Sequence, residues 1–265
     1  IEFGITGPAL TGTGACASGT MALIEAMHLL RRGDIDVAIA GGAEACVTEI
    51  GIVGFDNLGV LSKRNDDPGR AIRPFAVDRE GTVLSEGACV MVLERESHAI
   101  ARNALGLGVV AGGSVTSDGY HLTAPDPSGR QLTRAIGLAI ADAGLTPDDI
   151  DLAAVHATAS HAGDVVEAQV IRQTFGAHAD QVAVSAVKSM VGHMIGAAGA
   201  LSAMAVVLGF GRGEIAPTIN LDQVDPLCEL NHVANQPRQA TVRAAIANGL
   251  GFGGQNAVVV LAPID

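Results

Sequence analysis

Cys16 lies in the run Gly12-Thr13-Gly14-Ala15-Cys16-Ala17-Ser18-Gly19, one nucleophilic side chain among small residues. Residues 8–14 read as a short strand. After Cys16, Leu23, Ile24, Met27 and Leu30 recur at helical spacing, Arg31 and Arg32 fall in the last turn, and Gly33 supplies a stop. Cys16 is therefore expected where a strand turns into a helix. The unpaired N–H groups and the dipole of a helix N-terminus favour a thiolate over a thiol. That contribution is about 1 kcal/mol, whereas a full pKa unit, about 1.4 kcal/mol, is what takes a free thiol from a few per cent ionised at pH 7 to roughly a quarter. A neighbouring base must supply the rest. Without one, the same run describes a buried structural cysteine on a tight turn.

Groups able to assist it stand far along the chain. Residues 152–155 read as a strand with His156 at its carboxyl end. Residues 182–187 read as another, ending at Lys188, with His193 following shortly after. Sites in open α/β sheets assemble at the carboxyl ends of strands. Two strands offering catalytic residue types at one edge weigh more than either alone.

The elements that would hold these groups form two series. The first has a buried strand over 35–40 that completes a βαβ unit with the Cys16 helix. It continues with a helix and loop over 44–56, a polar turn-rich stretch over 61–86, a strand over 88–93 and a helix over 94–103. The second has a strand over 105–114 and a helix over 132–143 stopped by Gly144. Thr146-Pro147-Asp148-Asp149 then caps a single turn. Next come the His156 strand, a helix over 164–175, the Lys188 strand and a long helix from about residue 196. Two strands over 241–247 and 256–261 close the series. Gly249-x-Gly251-x-x-Gly254 matches a dinucleotide fingerprint, but a strand follows it where a helix is required, so the turn reads as a hairpin.

Bulk properties narrow the function. The chain has 265 residues, 48% of them hydrophobic, with 34 glycines, one tyrosine and no tryptophan, so its core must be aliphatic and closely packed. A net charge of −12 argues against nucleic-acid or anionic-membrane partners. The four cysteines at 16, 46, 89 and 228 form no CxxC pair and have no zinc spacing, a usage that fits a reducing cytoplasm. No basic leader precedes an apolar stretch at Ile1-Glu2-Phe3-Gly4. Residues 190–211 lack Asp, Glu, Lys and Arg and carry Gly192 and Gly196 in GxxxG spacing. His193 and the glycines shorten the apolar run, so it reads as a helix buried within an α/β protein.

Four motifs together resemble the β-ketoacyl-[acyl-carrier-protein] synthases, and most closely their elongating type. They are the GACASG turn, His156-Ala157-Thr158-Ala159-Ser160, Lys188-Ser189-Met190-Val191-Gly192-His193 and the terminal GLGFGGQN. The likeness extends through Leu61-Ser62-Lys63-Arg64-Asn65-Asp66, Arg73-Pro74-Phe75, Asp118-Gly119-Tyr120-His121 and Pro217-Thr218-Ile219-Asn220-Leu221. The resemblance implies a thiolase-like fold of two similar βαβαβ-type halves. Residues 1–105 would belong to the half carrying the nucleophile, and 106–265 would form the half carrying the histidines and lysine. The family has a further stretch ahead of the position of Ile1. A fragment is therefore expected, its first half incomplete, with an unpaired sheet edge and uncovered apolar surface.

The resemblance also implies roles. Cys16 would take an acyl chain from a carrier-protein phosphopantetheine thioester. His156 and His193 would donate hydrogen bonds to the malonyl thioester oxygen as negative charge develops. Lys188 would organise the charge, although many relatives place a glutamate near it where this chain has Ser202. The backbone N–H groups of Cys16 and Phe252 would form the oxyanion hole. Phe252 and Phe55 would gate the acyl pocket, with Leu250 where relatives often have Phe. Thr158, Ser160 and Thr123 match positions holding the pantetheine arm, and Ala157 stands where glycine is more common. The implied partners are an acidic acyl carrier protein, docked on Lys63, Arg64, Arg70 and Arg73, and a second copy paired across the strand before the nucleophile. The implied chemistry needs no cofactor and no metal. Two alternatives are a non-catalytic chain-length-factor-like subunit and a thiolase. The retained Cys16, His156, Lys188 and His193 disfavour the first, and the absence of a second cysteine from the C-terminal glycine turn disfavours the second.

Overall fold

The structure is a computed structural model, and it describes residues 1–264. Helix α1 (Ser18–Arg32) buries Leu23, Ile24, Met27 and Leu30 and ends at Gly33, whose φ of 76° is the left-handed C-cap. Strand β1 (Val37–Glu44), helix α2 (Glu49–Asn57), strand β2 (Gly87–Glu94) and the short helix α3 (Glu96–Ala101) follow. β1 and β2 pair antiparallel over their whole length, Val37 opposite Glu94 and Glu44 opposite Gly87. The expected parallel βαβ unit is therefore not formed. Nor do residues 8–14 make a strand: they carry Pro8 and two glycines, their one pairing among the described residues is an isolated bridge from Gly14 to Cys16, and all but Gly14 are exposed. The 35–40 strand begins at Val37 and is covered on one face only. Val37, Ile39, Val90 and Val92 alternate onto the open face, where each is exposed.

The second series builds a six-stranded mixed sheet. It consists of β3 (Val109–Ser117), helix α4 (Arg130–Asp142), β4 (Leu152–Ala154), helix α5 (His161–Phe175), β5 (Ala183–Ser185), the single-turn helix α6 (Lys188–Val191) and helix α7 (Ala198–Arg212). The short strands β6 (Glu214–Ile215), β7 (Asn231–His232) and β8 (Arg238–Gln239) and the closing pair β9 (Ala245–Gly251) and β10 (Gln255–Ala262) complete it. The sheet order is β3-β10-β9-β4-β5-β7, while β6 and β8 pair separately. β9, β4, β5 and β7 run parallel; β10 is antiparallel to both of its neighbours. The β9–β10 turn is thus the expected hairpin, Gly251 facing Gln255 across it. Its strands occupy 245–251 and 255–262, somewhat later than periodicity placed the first of them.

Helices α1 and α7 lie between the two-stranded sheet and the six-stranded one, and α4 packs on the far face of the larger sheet with α5 beside it. Val258, Val259, Val260 and Leu261 of β10 are fully buried because both faces of that strand are covered. Burial of each such side chain contributes about 1.5–3 kcal/mol. Residues 195–212 are long and apolar enough to cross a membrane by length and composition. Here they lie in the middle layer against α1, β2 and β9, as the sequence predicts. The single turn at Pro147–Asp149 has its capping box, with Thr146 and Asp149 bonding reciprocally.

Candidate active site

Three parallel strands, β4, β5 and β9, deliver their carboxyl ends to one edge of the sheet. His156 follows β4, Lys188 follows β5 as the first residue of α6, and Phe252 follows β9. Cys16 meets them there from the start of α1. The turn that carries it is strained: Ala15 has φ of 50° without being glycine. The Ser18 hydroxyl ties this turn, accepting from Gly14 N–H at 2.9 Å and donating to Ala15 O at 2.7 Å. The β9–β10 hairpin closes on it backbone to backbone. A Cβ on Gly251 would lie 2.2 Å from Gly14 O, and one on Gly249 2.5 Å from Thr20 Oγ1. The glycines that mimic a nucleotide fingerprint thus permit close packing.

Cys16 Sγ lies 3.0 Å from His193 Nε2. The rings of His193 and His156 meet edge to face, centroids 5.4 Å apart. Leu250 N–H donates to His156 Nδ1 at 3.2 Å, so the neutral ring carries its proton on Nε2. Burial first, and then the charge of Lys188, hold both imidazoles well below the ordinary histidine range, so both are neutral. The backbone N–H groups of Phe252 and Cys16 act on the sulfur, the pair expected of an oxyanion hole.

The thiolate expected from the helix terminus is not the resting state. Cys16 is 5% exposed, and burial pushes its thiol up to about 11 against the opposing pull of Lys188 and the two N–H groups. A helix terminus worth about 1 kcal/mol cannot offset that desolvation. Lys188 is equally buried, its Nζ has no hydrogen-bond partner among the described residues, and desolvation brings it down to about 8. Ser202 offers it nothing, because its hydroxyl bonds back to Ala198 O within α7.

Several groups escaped sequence reasoning. Glu167 is buried on α5 and accepts from His156 N–H at 2.8 Å, Ala157 N–H at 2.7 Å and Asn248 Nδ2 at 2.9 Å, fixing the start of the histidine turn. It is also the first of the charges that support a protonated Lys188. Asp164, one helical turn earlier, accepts from Ser160 N–H and Phe75 N–H, and burial raises it to about 7. Arg79 clamps the same turn from behind, donating to the carbonyls of Ser160 and His161 and to Asp225. The spacing Asp164-x-x-Glu167 on one helix face was the available signal; Arg79 gave none.

A cavity of about 300 Å³ opens over these groups. Cys16, His156, His193, Thr158, Ser160, Thr123, Phe55, Leu250 and Phe252 all line it; Lys188 stands behind its wall. Phe55 and Phe252 stack with centroids 6.1 Å apart. The basic residues expected to dock a carrier are already paired: Lys63 with Asp56, Arg64 with Asp78 and Glu80, Arg70 with Asp222, and Arg73 with Asp78. They do not form a free positive patch.

Comparison with known proteins agrees with this geometry. The sequence pattern of the β-ketoacyl synthase N-terminal domain matches residues 1–99, and that of the C-terminal domain matches residues 107–222. The chain belongs to the β-ketoacyl synthase family. It is 42% identical over 97% of its length to 3-oxoacyl-[acyl-carrier-protein] synthase 2 of Synechocystis, covering 62% of that protein. It is 39% identical over its full length to the synthase 2 of Coxiella burnetii, covering 64%. The chain thus spans about three-fifths of the length of these curated relatives. Among solved structures, a ketosynthase complexed with its type II polyketide synthase acyl-carrier protein superposes with a TM-score of 0.97. Identity there is 31%, over all of this chain and 65% of the other. The ishigamide ketosynthase/chain length factor gives a TM-score of 0.91 at 37% identity, over 97% of this chain and 61% of the other. The fold is the thiolase-like fold of ketosynthases, with two strands in the first sheet and six in the second.

Proposed function

We propose that the protein is a β-ketoacyl-carrier-protein synthase, joining an acyl group on Cys16 to malonyl-carrier protein in fatty-acid or polyketide chain elongation. What carries this reading is the convergence of one thiol, two neutral imidazoles and two backbone N–H donors on a single cavity. In the first half-reaction Cys16 Sγ attacks the acyl thioester carbonyl. Its proton passes to His193 Nε2 and on to the departing pantetheine sulfur. With the thiol held high and His193 held neutral, proton transfer accompanies attack instead of preceding it. In the second, malonyl thioester loses CO₂, and its enolate carbon attacks the acyl-cysteine carbonyl. The C–S bond to Cys16 breaks and the sulfur regains a proton. His156, with Nε2–H turned to the cavity, donates to the thioester oxygen as the enolate forms, and the N–H groups of Cys16 and Phe252 hold the oxyanion of the tetrahedral adduct.

Thr158, Ser160 and Thr123, which line the cavity, would hold the pantetheine arm, and the stacked Phe55 and Phe252 would gate the acyl end. The partner is an acyl carrier protein, whose acidic surface must compete with the carboxylates that now pair Lys63, Arg64, Arg70 and Arg73. We further propose a homodimer. Supporting it, Phe3, Ile5 and Leu10, in the segment before the nucleophile, expose large apolar side chains. A reducing cytoplasm suits the four free thiols, and the chemistry calls for no bound cofactor. The test is to incubate the chain with acyl- and malonyl-carrier protein and follow the 3-oxoacyl product by mass spectrometry. Product from the native chain and none from Cys16→Ala is expected; product from Cys16→Ala overturns the reading.

A further inference from the structure

Two helix N-termini meet beside the sulfur. α1 begins at Ser18, and the turn Ile195–Ala197 leads into α7 at Ala198. Neither helix has a side-chain cap, and neither has an acidic residue in its first turn. A helix start normally recruits such a group from its own sequence. Here one comes from elsewhere. Glu44, the last residue of β1, accepts from Gly196 N–H at 3.3 Å. A Cβ on Gly196 would lie 3.3 Å from Glu44 Oε2, 3.8 Å from Ser18 Cβ and 3.9 Å from Ala15 O, so the carboxylate and both helix starts share one small volume. Glu44 is half-buried, and no cation pairs with it among the described residues. Backbone contact reinforces the placement: a Cβ on Gly42 would meet Gly196 O at 2.3 Å.

We propose that Glu44 is a positioning residue of the active site: its carboxylate caps the turn leading into α7 beside the start of α1, fixes the turn following His193 and adds to burial in keeping the sulfur a thiol at rest. The positive potential of the helix ends is then already neutralised by a resident anion, so little of it is left for a thiolate. The charged and titratable groups around the sulfur are Lys188 from α6, His193 from the turn after it, His156 from the end of β4 and Glu44 from β1. Lys188 favours its ionisation and Glu44 opposes it. Beside Glu44 itself stand Cys46 and Glu86, the latter bonded to Val47 N–H. The device suits a nucleophile that is activated only when a thioester arrives, and in that purpose it rests on the reading of Cys16 given above. Its test uses no acyl substrate, so either can fail without the other.

The test is the alkylation rate of Cys16 in the full chain with a neutral reagent, iodoacetamide, between pH 6.5 and 9.5. Peptide mass mapping separates Cys16 from Cys46, Cys89 and Cys228. Glu44→Gln keeps an oxygen for Gly196 N–H but removes the charge; it is expected to speed Cys16 alkylation about two- to three-fold, since a gain of ~1 kcal/mol in thiolate is partly offset by lower nucleophilicity. Glu44→Asp keeps the charge and should stay nearer the native rate. A Glu44→Gln rate equal to or below native, with Cys89 as protected as before, overturns the proposal. Should that variant not fold, the native chain carries the test through salt. Screening a half-exposed carboxylate while Lys188 stays buried should speed alkylation from low to high ionic strength, and a flat or falling rate overturns it.

Discussion

His193 Nε2 stands 3.0 Å from Cys16 Sγ, while the other ring nitrogen of the same histidine is buried with no hydrogen-bond partner among the described residues. One nitrogen is thus committed to the sulfur, and nothing on the far side fixes which nitrogen carries the proton. His156 is the opposite case, its Nδ1 occupied by Leu250 N–H. The two imidazoles therefore differ in what they can do: His193 can exchange a proton with the sulfur, whereas His156 is set to donate.

From this difference, His193→Ala should slow transfer of an acyl group onto Cys16 about 10²–10⁴-fold. His156→Ala should leave that step within about tenfold of native while suppressing decarboxylation of the malonyl thioester. Rapid-quench measurement of each half-reaction separates the two. Equal losses in both half-reactions for both variants would contradict the assignment.

Lys188 gives a prediction in pH. Its ordinary value is 10.5 and burial brings it to about 8, so below pH 8 it is protonated in folded and unfolded chains alike, and the folded state bears the full cost of the buried charge. Between pH 8 and 10.5 the unfolded chain keeps a proton that the folded one has shed, and stability rises with pH. Cys16, raised from 9.0 to about 11, opposes this above pH 9, and Asp164, raised to about 7, opposes it below pH 8, so the clean window is about pH 8–9. Lys188→Met should remove the rise and add up to about 3 kcal/mol at pH 7, read by urea unfolding. A variant whose stability climbs through this window as steeply as native contradicts the lysine assignment.

Much of this was legible in the residues themselves. The spacing Leu23, Ile24, Met27, Leu30 before Gly33 is enough to call α1, and His156 at the end of an apolar run is enough to place it at a sheet edge. Pairing was not legible. β1 and β2 are both short apolar runs, and periodicity cannot tell an antiparallel partner from a parallel one when the connecting segment is 42 residues of turns and a helix. The resting protonation of Cys16 was not legible for a related reason: a helix terminus is visible in sequence, but the desolvation that outweighs it depends on how tightly Gly249 and Gly251 bring the hairpin down. Arg79 lies far from Ser160 and His161 in the chain, and only the fold brings it against their carbonyls.

That hairpin contact predicts a contrast between two glycines. Gly251→Ala would place a Cβ 2.2 Å from Gly14 O, and such overpacking costs about 1–3 kcal/mol. Gly137, inside α4, has nothing within 4 Å of the corresponding position. Gly137→Ala should therefore stabilise by about 0.5–1 kcal/mol through helix propensity. Urea midpoints of the two variants should move in opposite directions.

Glu167 offers a test of how the histidine turn is held. Its two oxygens accept from three donors, and Glu167→Gln keeps only one accepting oxygen while turning an NH₂ toward an N–H. The loss should be about 1–3 kcal/mol in stability, measured by thermal unfolding. A neutral substitution would mean that the turn is held mainly by Arg79 and Asp164.

The most direct measurement is the mass of the peptide containing Cys16 after the folded chain has been incubated with an acyl-carrier-protein thioester. The account predicts one acyl group on Cys16, none on Cys46, Cys89 or Cys228, and hydroxylamine-sensitive release. An unmodified Cys16 in a folded sample, or an acyl group on another cysteine, would contradict it.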